Sequence, residues 1–278
     1  MTLAPAHLRS VGLRGAPDDP GFPFSVPAIR SLTTLDVDAA VTFFVGENGS
    51  GKSTLMEAIA IAARLPTVGS TQPDHDRTLD AQRRLAHALA LTWRRRVHRG
   101  FFLRAEDFFG FAKSLAELRV EMHRQLAVIA EEYRERSGYA RGLAELPMRR
   151  SLAEMEARYG IDLDASSHGE SFLRLFRSRF VPDGLYLLDE PEAALSPRSQ
   201  LALLAMLGDM AAQGSQFLVA THSPILLSFP GARIFTFDQT PMTAIEYDRL
   251  EHVTLTRDFL ADRERFLRHL LDPAPTGE

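Results

Sequence analysis

The sequence predicts an α/β fold: a mixed, largely parallel sheet flanked by helices, with an antiparallel β region near the N-terminus and a helical insert. Three short apolar runs predict buried strands, and each leads directly into residues of distinctive chemistry. Elsewhere, apolar residues recur at spacings of three and four, which is typical of helices. With 278 residues, of which 45% are hydrophobic, the chain is long enough to bury the core of one large domain.

The first apolar run leads into a phosphate-binding loop. Val41–Val45 is rich in β-branched and aromatic residues, and residues 46–53 match the pattern G-x-x-x-x-G-K-[ST]. The apolar residues that follow Lys52 predict a helix that ends near Pro66. At such a turn, consecutive backbone N–H groups and the helix N-terminus attract an anion, which predicts a nucleoside triphosphate site. The residues expected to contact the nucleotide there are Gly46, Glu47, Asn48, Gly49, Ser50, Gly51, Lys52, Ser53 and Thr54.

The second apolar run, residues 184–190, predicts a buried strand that ends in two adjacent carboxylates, Asp189 and Glu190. Because successive side chains alternate and ligands of parallel sheets lie beyond the strands' carboxyl ends, one acid can face a metal and the other the γ-phosphate. We assign Mg²⁺ binding to Asp189 and Ser53. Lys52 is expected to reach the β- and γ-phosphates, and Glu190 to act as general base for attack by water. Two solvated acids after a core strand are the alternative.

The third apolar run places a histidine at the end of a strand. Gln216–Ala220 predicts a buried strand, and the segment Thr-His-Ser-Pro follows it directly. His222 would lie beside the same phosphates, where an imidazole can hydrogen-bond the γ-phosphate or the attacking water. We therefore assign catalytic roles to His222, Glu190 and Lys52. An ordinary turn residue before Ser-Pro is the alternative interpretation of His222.

A fourth motif, Ser-Ser-His-Gly-Glu-Ser at residues 166–171, opens an amphipathic stretch that predicts a helix. The order of phosphate loop, Ser-x-Gly-Glu, Leu-Leu-Asp-Glu-Pro and Ala-Thr-His-Ser resembles the ABC-type P-loop ATPase superfamily. Within it, the chain is most similar to stand-alone, soluble predicted AAA/ABC ATPases, which are related to chromosome-maintenance and break-repair ATPases. The resemblance covers residues 41–65 and 166–237. It implies the P-loop NTPase fold of that superfamily, ATP as the nucleotide, and hydrolysis to ADP and phosphate with Mg²⁺.

The resemblance assigns Ser167, Gly169 and Glu170 to the nucleotide-contacting signature motif. It implies that two copies of the chain sandwich two ATP molecules, with Ser167 and Gly169 of one copy touching the γ-phosphate held by the other. A helix N-terminus suits that contact because its N–H groups and dipole attract an anion. His168 stands where the family has its first glycine. Glu106 is expected to replace the family's glutamine after the phosphate-loop helix, with a solvated residue after a strand as the alternative.

A helical pattern between two parts of the core divides the chain. We expect a single domain over residues 1–278, in which residues 1–109 and 161–278 form the nucleotide-binding core and residues 110–160 a helical insert. The insert is long enough for two or three helices, with a loop expected near residues 138–147. Its apolar residues show no sustained heptads, so the long coiled-coil arms of chromosome-maintenance relatives are not expected.

Segments around the phosphate loop carry further signals. Residues 1–40 predict edge strands, and an aromatic residue there, Phe22 or Phe24, would either stack on adenine or pack against the protein. Residues 89–95 and 101–103 predict a β-hairpin, with a helix through Leu85, Ala88 and Trp93 as the alternative.

The C-terminal third predicts a helix, two strands and a last helix. Residues 196–197, Ser then Pro, predict a capped helix start, and Gly214 predicts the end of that largely buried helix. Residues 233–238 and 244–247 predict closing strands. Thr256 is expected to cap the last helix.

An arginine-rich segment occurs in a chain whose net charge is -4. It predicts either contact with nucleic acid or a solvated surface whose arginines pair with acids. Its members are Arg83, Arg84, Arg94, Arg95, Arg96, Arg99 and Arg104. The sequence has no long apolar stretch and no secretion-like N-terminal run, so we expect a cytoplasmic protein that does not itself span a membrane. The absence of cysteine excludes disulfides and thiolate metal sites.

Three functional hypotheses follow. The first is an ATPase that couples closure of an ATP-sandwiched homodimer to work on a macromolecule. The second is the ATP-binding subunit of an ABC transporter, which would need a membrane partner. The third is a nucleotide switch that binds ATP without hydrolysing it.

Overall fold

The computed structural model contains two β-sheets and ten α-helices in the part of the chain that it describes. The described residues are 6–15, 20–68, 80–159 and 168–271. The strands are β1 (Leu8–Leu13), β2 (Thr34–Asp36), β3 (Val41–Val45), β4 (Leu89–Trp93), β5 (Gly100–Arg104), β6 (Leu185–Asp189), β7 (Gln216–Ala220), β8 (Arg233–Thr236) and β9 (Thr243–Ala244). The helices are α1 (Pro27–Arg30), α2 (Lys52–Ala63), α3 (Asp80–Ala88), α4 (Ala105–Glu132), α5 (Gly138–Tyr159), α6 (His168–Arg179), α7 (Pro197–Ala212), α8 (Pro224–Leu227), α9 (Glu251–Ala261) and α10 (Arg263–Leu271).

The larger sheet has six strands in the order β5-β6-β7-β3-β8-β9. Its first five strands are parallel, and β9 runs antiparallel to β8. Alternate residues of β3, β6 and β7 belong to two separate apolar cores, one on each face of the sheet. Burial on both faces explains why these strands are continuously apolar in the sequence. The α/β prediction with a mixed, largely parallel sheet is confirmed.

The smaller sheet is antiparallel, with the order β2-β1-β4, and confirms the predicted antiparallel β region. A buried glutamine at the start of β7, Gln216, joins the two sheets. Its Oε1 accepts the backbone N–H groups of His7 and Leu8 at 3.0 and 2.7 Å. Its Nε2 donates to the carbonyls of Leu8 and Val37, both at 2.9 Å. All its hydrogen-bonding capacity is therefore used to hold the sheets together.

The predicted β-hairpin of residues 89–95 and 101–103 is wrong. β4 pairs with β1 in the smaller sheet, whereas β5 pairs in parallel with β6 in the larger one. The alternative, a helix, is correct for the residues up to Ala88, which end α3, but wrong for the residues of β4. The cause is tertiary: Phe101, Phe102 and Leu103 are all buried, which requires cover on both faces that a hairpin cannot provide. At Gly100, with φ of 130°, a Cβ atom would overlap the carbonyl of Leu185, so only glycine lets the two strands meet.

The insert consists of two long helices, α4 and α5, which pack against each other. α4 begins directly after β5. The loop between the helices covers residues 133–137, so the predicted loop at residues 138–147 is wrong. Pro147 lies inside α5. It removes one backbone hydrogen bond, and packing against α4 keeps the helix continuous.

Three features of the C-terminal part differ in detail from the predictions. The closing strands are shorter, and Tyr247 starts a 3-10 helix instead of ending a strand. Thr256 lies inside α9, where its hydroxyl donates to the carbonyl of His252 at 2.6 Å, so it is not a cap. Ser196 caps α7 by accepting the N–H of Ser199, as predicted, although Leu201 on that helix is 57% exposed. Among the described residues, no helix is both long and apolar enough to cross a bilayer.

Candidate nucleotide-binding site

The phosphate loop, residues 46–53, connects β3 to α2 and turns through glycines. Gly46 and Gly51 have φ values of 150° and 101°. A Cβ atom on Gly46 would lie 2.9 Å from Cβ of Phe237, and one on Gly51 would lie 2.8 Å from Cγ1 of Val26. Both positions therefore need glycine for conformation and for space. The resulting turn places the N-terminus of α2 at the carboxyl edge of the larger sheet.

Lys52 is buried within this loop, with only 4% of its surface exposed. Its ammonium group donates to the backbone carbonyls of Gly46 and Glu47. Burial lowers the pKa of Lys52, whereas the nearby carboxylates of Glu190 and Asp189 act in the opposite direction. The ammonium group is thus held between the loop and the acids that end β6, where it can meet a bound anion.

Asp189 is the buried acid of the site, 5% exposed at the end of β6. Burial raises the pKa of Asp189 to about 6, even though a hydrogen bond from Ser53 and the charges of Arg104 and Lys52 lower it. Its Oδ1 atom is shielded from solvent and accepts no hydrogen bond from the described residues, and the hydroxyl of Ser50 is in the same condition. Such atoms are uncommon in protein interiors. The carboxylate of Asp189 and the hydroxyl of Ser53 together provide hard oxygen donors, which suit Mg²⁺.

Glu190 follows Asp189 with an unusual backbone conformation, φ of 51° and ψ of 47°. Its N–H donates to the carbonyl of Ala220 at 2.9 Å, which continues the pairing of β6 with β7. The side chain is 46% exposed, and its Oε1 lies 4.0 Å from Nε2 of His222. The two adjacent acids therefore occupy different environments, one desolvated and one open to water.

A cavity of about 340 Å³ lies in front of the phosphate loop. Its lining includes Phe22, Val26, Lys52, Thr54 and Glu190. Of the two aromatic residues considered for adenine, Phe24 is buried at 6% exposure, whereas Phe22 is 48% exposed on this cavity wall. Phe22 is the one placed to touch a ligand.

Two side chains whose contacts near His222 the sequence does not predict fix the loop that carries it. Glu192, just after β6, accepts the backbone N–H of His222 at 2.6 Å. Gln200, on α7, accepts the hydroxyl of Ser223 at 2.6 Å. A carboxylate two positions after Glu190 was the available signal, but its partner is distant in the sequence.

A third overlooked residue, Asp238, holds the start of the phosphate loop. Its Oδ1 accepts the N–H of Glu47 at 2.7 Å. Thr236 orients this aspartate, because its hydroxyl lies 3.3 Å from Oδ2 and 3.2 Å from the N–H of Asp238. The loop is therefore shaped from the end of β8 as well as by its own glycines.

A buried ion pair lies behind Asp189. The pair joins Arg104 on β5 to the carboxylate of Glu57 on α2. Arg104 lies directly opposite Asp189 in the pairing of β5 with β6. Arg104 also precedes the first turn of α4, so it connects the insert to the site. Glu106, the expected replacement for the family's glutamine, is the second residue of α4, and its side chain lies outside the described part.

The signature motif is described only in part. Ser166 and Ser167 lie outside the described residues. α6 begins at His168, so Gly169 and Glu170 occupy its first turn, and Glu170 is exposed. Gly169 and Glu170 therefore lie in a helix, while their contact with a nucleotide stays a prediction.

The arginine-rich segment is largely engaged in ion pairs. Arg83 pairs with Asp80, Arg94 with Asp38 and Arg95 with Asp183, besides Arg104 with Glu57. Arginines that pair with the protein's own acids are less available to phosphates. The arrangement favours the structural interpretation of this segment over nucleic-acid binding.

Comparison with known proteins gives two matching family models. One is described as "AAA domain, putative AbiEii toxin, Type IV TA system" and matches residues 172–228. The other is described as "AAA domain" and matches residues 25–73. The matched segments contain the phosphate loop and the strand ends that carry Asp189, Glu190 and His222.

The curated relatives include ATP-binding proteins of import systems and a macrolide export ATP-binding/permease protein. A "Putative ribose/galactose/methyl galactoside import ATP-binding protein" of Pseudomonas fluorescens is 26% identical over 73% of this chain, which spans only 36% of that protein. The hemin import ATP-binding protein HmuV of Rhodopseudomonas palustris is 27% identical over 83% of this chain and 87% of that protein. Among solved structures, an Smc head domain from Pyrococcus furiosus, bound to the C-terminal domain of ScpA, is 11% identical, with a TM-score of 0.44 over 93% of this chain and 100% of that one.

Proposed function

We infer from these matches that the chain is an AAA/ABC-type P-loop ATPase, and we propose that it binds ATP with Mg²⁺ and hydrolyses it to ADP and phosphate. The observation that carries the proposal is the meeting of Lys52 and Asp189, both buried, at one edge of the sheet. Burying two charged groups is costly unless they have partners. Lys52 already donates to two loop carbonyls, whereas Oδ1 of Asp189 has no hydrogen-bond partner among the described residues, and a magnesium ion would supply that atom with one.

The residues then divide the work. Ser53 and Asp189 would hold Mg²⁺, which when bound neutralises charge on the phosphates. Lys52, released from its loop carbonyls, would bind the phosphate oxygens. Glu190 is open to water, so it can accept a proton from the attacking water, and His222 lies near enough to orient that water or the terminal phosphate.

Dimerisation on ATP belongs to the same proposal. Gly169 and Glu170 belong to the first described turn of α6, and the N–H groups of a helix N-terminus bind anions. In the ATP-sandwiched homodimer, this helix start would contact the terminal phosphate held by the second copy. We also propose the cytoplasm as its location, where ATP and Mg²⁺ are supplied.

The test is the variant Glu190→Gln, which keeps the side-chain shape but removes the base. We expect phosphate release to fall by about 100-fold or more, ATP binding to persist, and a dimer of twice the 30.9 kDa chain mass to accumulate with ATP. Light scattering after size exclusion measures the mass. The matched control, Glu154→Gln on the exposed side of α5, should behave as the native protein.

The outcomes separate the hypotheses. Native protein that binds ATP but releases no phosphate would identify a nucleotide switch. Normal turnover in Glu190→Gln would remove that residue from catalysis. A Glu190→Gln protein that stays monomeric with ATP would contradict the sandwich.

A transporter subunit is the second candidate, favoured by the import proteins among the relatives and by the insert. Large apolar side chains are exposed on α4 and α5, which a membrane partner could cover. They are Leu118, Val120, Val128, Leu143 and Leu146. Under this hypothesis the native protein sediments with membranes, and substitution of Leu143 and Leu146 by Ser releases it. An ATPase found entirely in the soluble fraction of its own cells would contradict it.

A further inference from the structure

His252, near the start of α9, lies against His222, although it belongs to none of the sequence motifs. The two imidazole rings meet edge to face, with centroids 6.4 Å apart and planes inclined at 65°. α9 is the helix that follows the closing strands, and His252 is its second residue. Helix α9 therefore contacts the site through the ring of His252.

Hydrogen bonds among the described residues fix the backbone of His222 but not the Nε2 atom of its ring. Its backbone N–H is fixed by Glu192 at 2.6 Å. The ring nitrogen Nε2, however, is shielded from solvent and has no hydrogen-bond partner among the described residues. The same nitrogen lies 4.0 Å from the carboxylate of Glu190. An imidazole without a hydrogen bond at that atom depends on packing for its orientation, and His252 supplies a ring contact.

The backbone at His252 is held firmly, whereas its ring nitrogen Nε2, like that of His222, is buried without a hydrogen-bond partner among the described residues. Leu250 and Val253, on either side of it, are both 3% exposed and anchor the start of α9 in the core. The hydroxyl of Thr256 donates to the carbonyl of His252 at 2.6 Å. Because this turn is anchored, the ring of His252 can restrict the rotation of a neighbouring side chain.

The charges around His252 suit this role. Burial lowers its pKa, and the neighbouring His222 acts in the same direction, while Asp238 and Glu251 oppose them. The balance favours the neutral ring. A neutral ring packs against His222 without repelling it when His222 is protonated.

We propose that His252 is a positioning residue for ATP hydrolysis: its ring fixes the orientation of His222 towards Glu190 and makes α9 part of the hydrolytic site. The inference rests on the proposed ATPase function. It adds a residue outside the four motifs and a route by which whatever binds α9 and α10 would alter turnover.

Kinetics of two variants test the proposal. We expect His252→Ala to lower kcat about 10-fold or more and to leave the KM for ATP unchanged, because misplacement of a catalytic group affects the chemical step. His252→Phe keeps a flat ring at the same place, so it should recover most of kcat. His123→Ala, on an exposed part of α4, is the matched control and should keep the native rate.

A spectroscopic measurement separates failure of this proposal from failure of the ATPase function. The NMR signal of the His222 ring is measured in the nucleotide-free protein and is assigned by its loss in His222→Gln. Its chemical shift should change in His252→Ala and return towards the native value in His252→Phe. This readout needs no hydrolysis, so it still decides the contact if the native protein proves inactive. An unchanged His222 signal in His252→Ala would overturn the proposal. So would native kcat in His252→Ala, His252→Phe as slow as His252→Ala, or equal losses of kcat, ATP affinity and thermal stability.

Discussion

The carboxyl edge of the larger sheet and the helical insert differ in how far most of their charged side chains are exposed to solvent. At the sheet edge, Lys52, Glu57 and Asp189 are 4 to 6% exposed. In the insert, the pair of Arg150 and Glu154 is 79% and 67% exposed, while Glu145 is the buried exception at 6% and pairs with Arg141 and Arg149. Buried charges cost free energy, and exposed pairs contribute little. The buried Lys52 and Asp189 therefore distinguish the edge of the sheet that we propose as the nucleotide site, whereas most charged side chains of the insert are exposed.

The strongest test of this contrast replaces the buried cation. We expect Lys52→Ala to lower kcat/KM for ATP by about 100-fold or more, because an ammonium group aimed at phosphate in a desolvated site contributes several kcal/mol. Phosphate release measures it. Lys113→Ala, at an exposed position on α4, serves as control, and equal rates in the two variants would contradict the difference between the regions.

The second test uses pH and the buried acid. Because its folded-state pKa is raised from 3.8 to about 6, protonated Asp189 favours folding at low pH, and this contribution is lost as pH rises through 6. In metal-free protein, Asp189→Asn should match the native stability near pH 4 and exceed it by about 3 kcal/mol above pH 7. Urea unfolding at both pH values measures this. A stability difference independent of pH would refute it.

The third test breaks the buried ion pair behind the site. Glu57→Ala leaves Arg104 without its buried carboxylate, so we expect the free energy of unfolding to fall by about 2 kcal/mol, less than for a fully buried pair because Arg104 is 22% exposed. A double-mutant cycle with Arg104→Ala isolates the coupling. Additive losses in that cycle would show that the two side chains do not act as a pair.

The smallest effect is expected in the insert. Arg150→Ala removes one exposed pair on α5 and should change the free energy of unfolding by less than about 0.5 kcal/mol. Salt should remove even that difference. A loss as large as that of Glu57→Ala would mean that exposure does not separate the two regions.

The predictions that the structure confirms depend on short stretches of sequence. The continuous apolar runs of β3, β6 and β7 predicted buried parallel strands because burial on both faces leaves no polar alternation. The glycine pattern before Lys52 predicted the strand-to-helix turn, and Ser196 with Pro197 predicted the start of α7. The roles of Asp189, Glu190 and His222 in ATP hydrolysis stay predictions that the experiments above address.

The wrong hairpin prediction has its origin in pairing between distant segments. Residues 89–95 and 101–103 are close in sequence, yet β4 and β5 joined different sheets because their burial requirements differ.

The sequence by itself determined the edge of the sheet at which chemistry is concentrated, because strand ends and glycine turns are encoded locally. Only the tertiary structure decided which residues support that chemistry: Glu192 beside His222, Asp238 on the phosphate loop, Arg104 behind Asp189 and His252 from α9. The physical reason is that hydrogen bonds, ion pairs and ring contacts depend on distance in space, and residues far apart in the chain leave no periodic signal of their meeting.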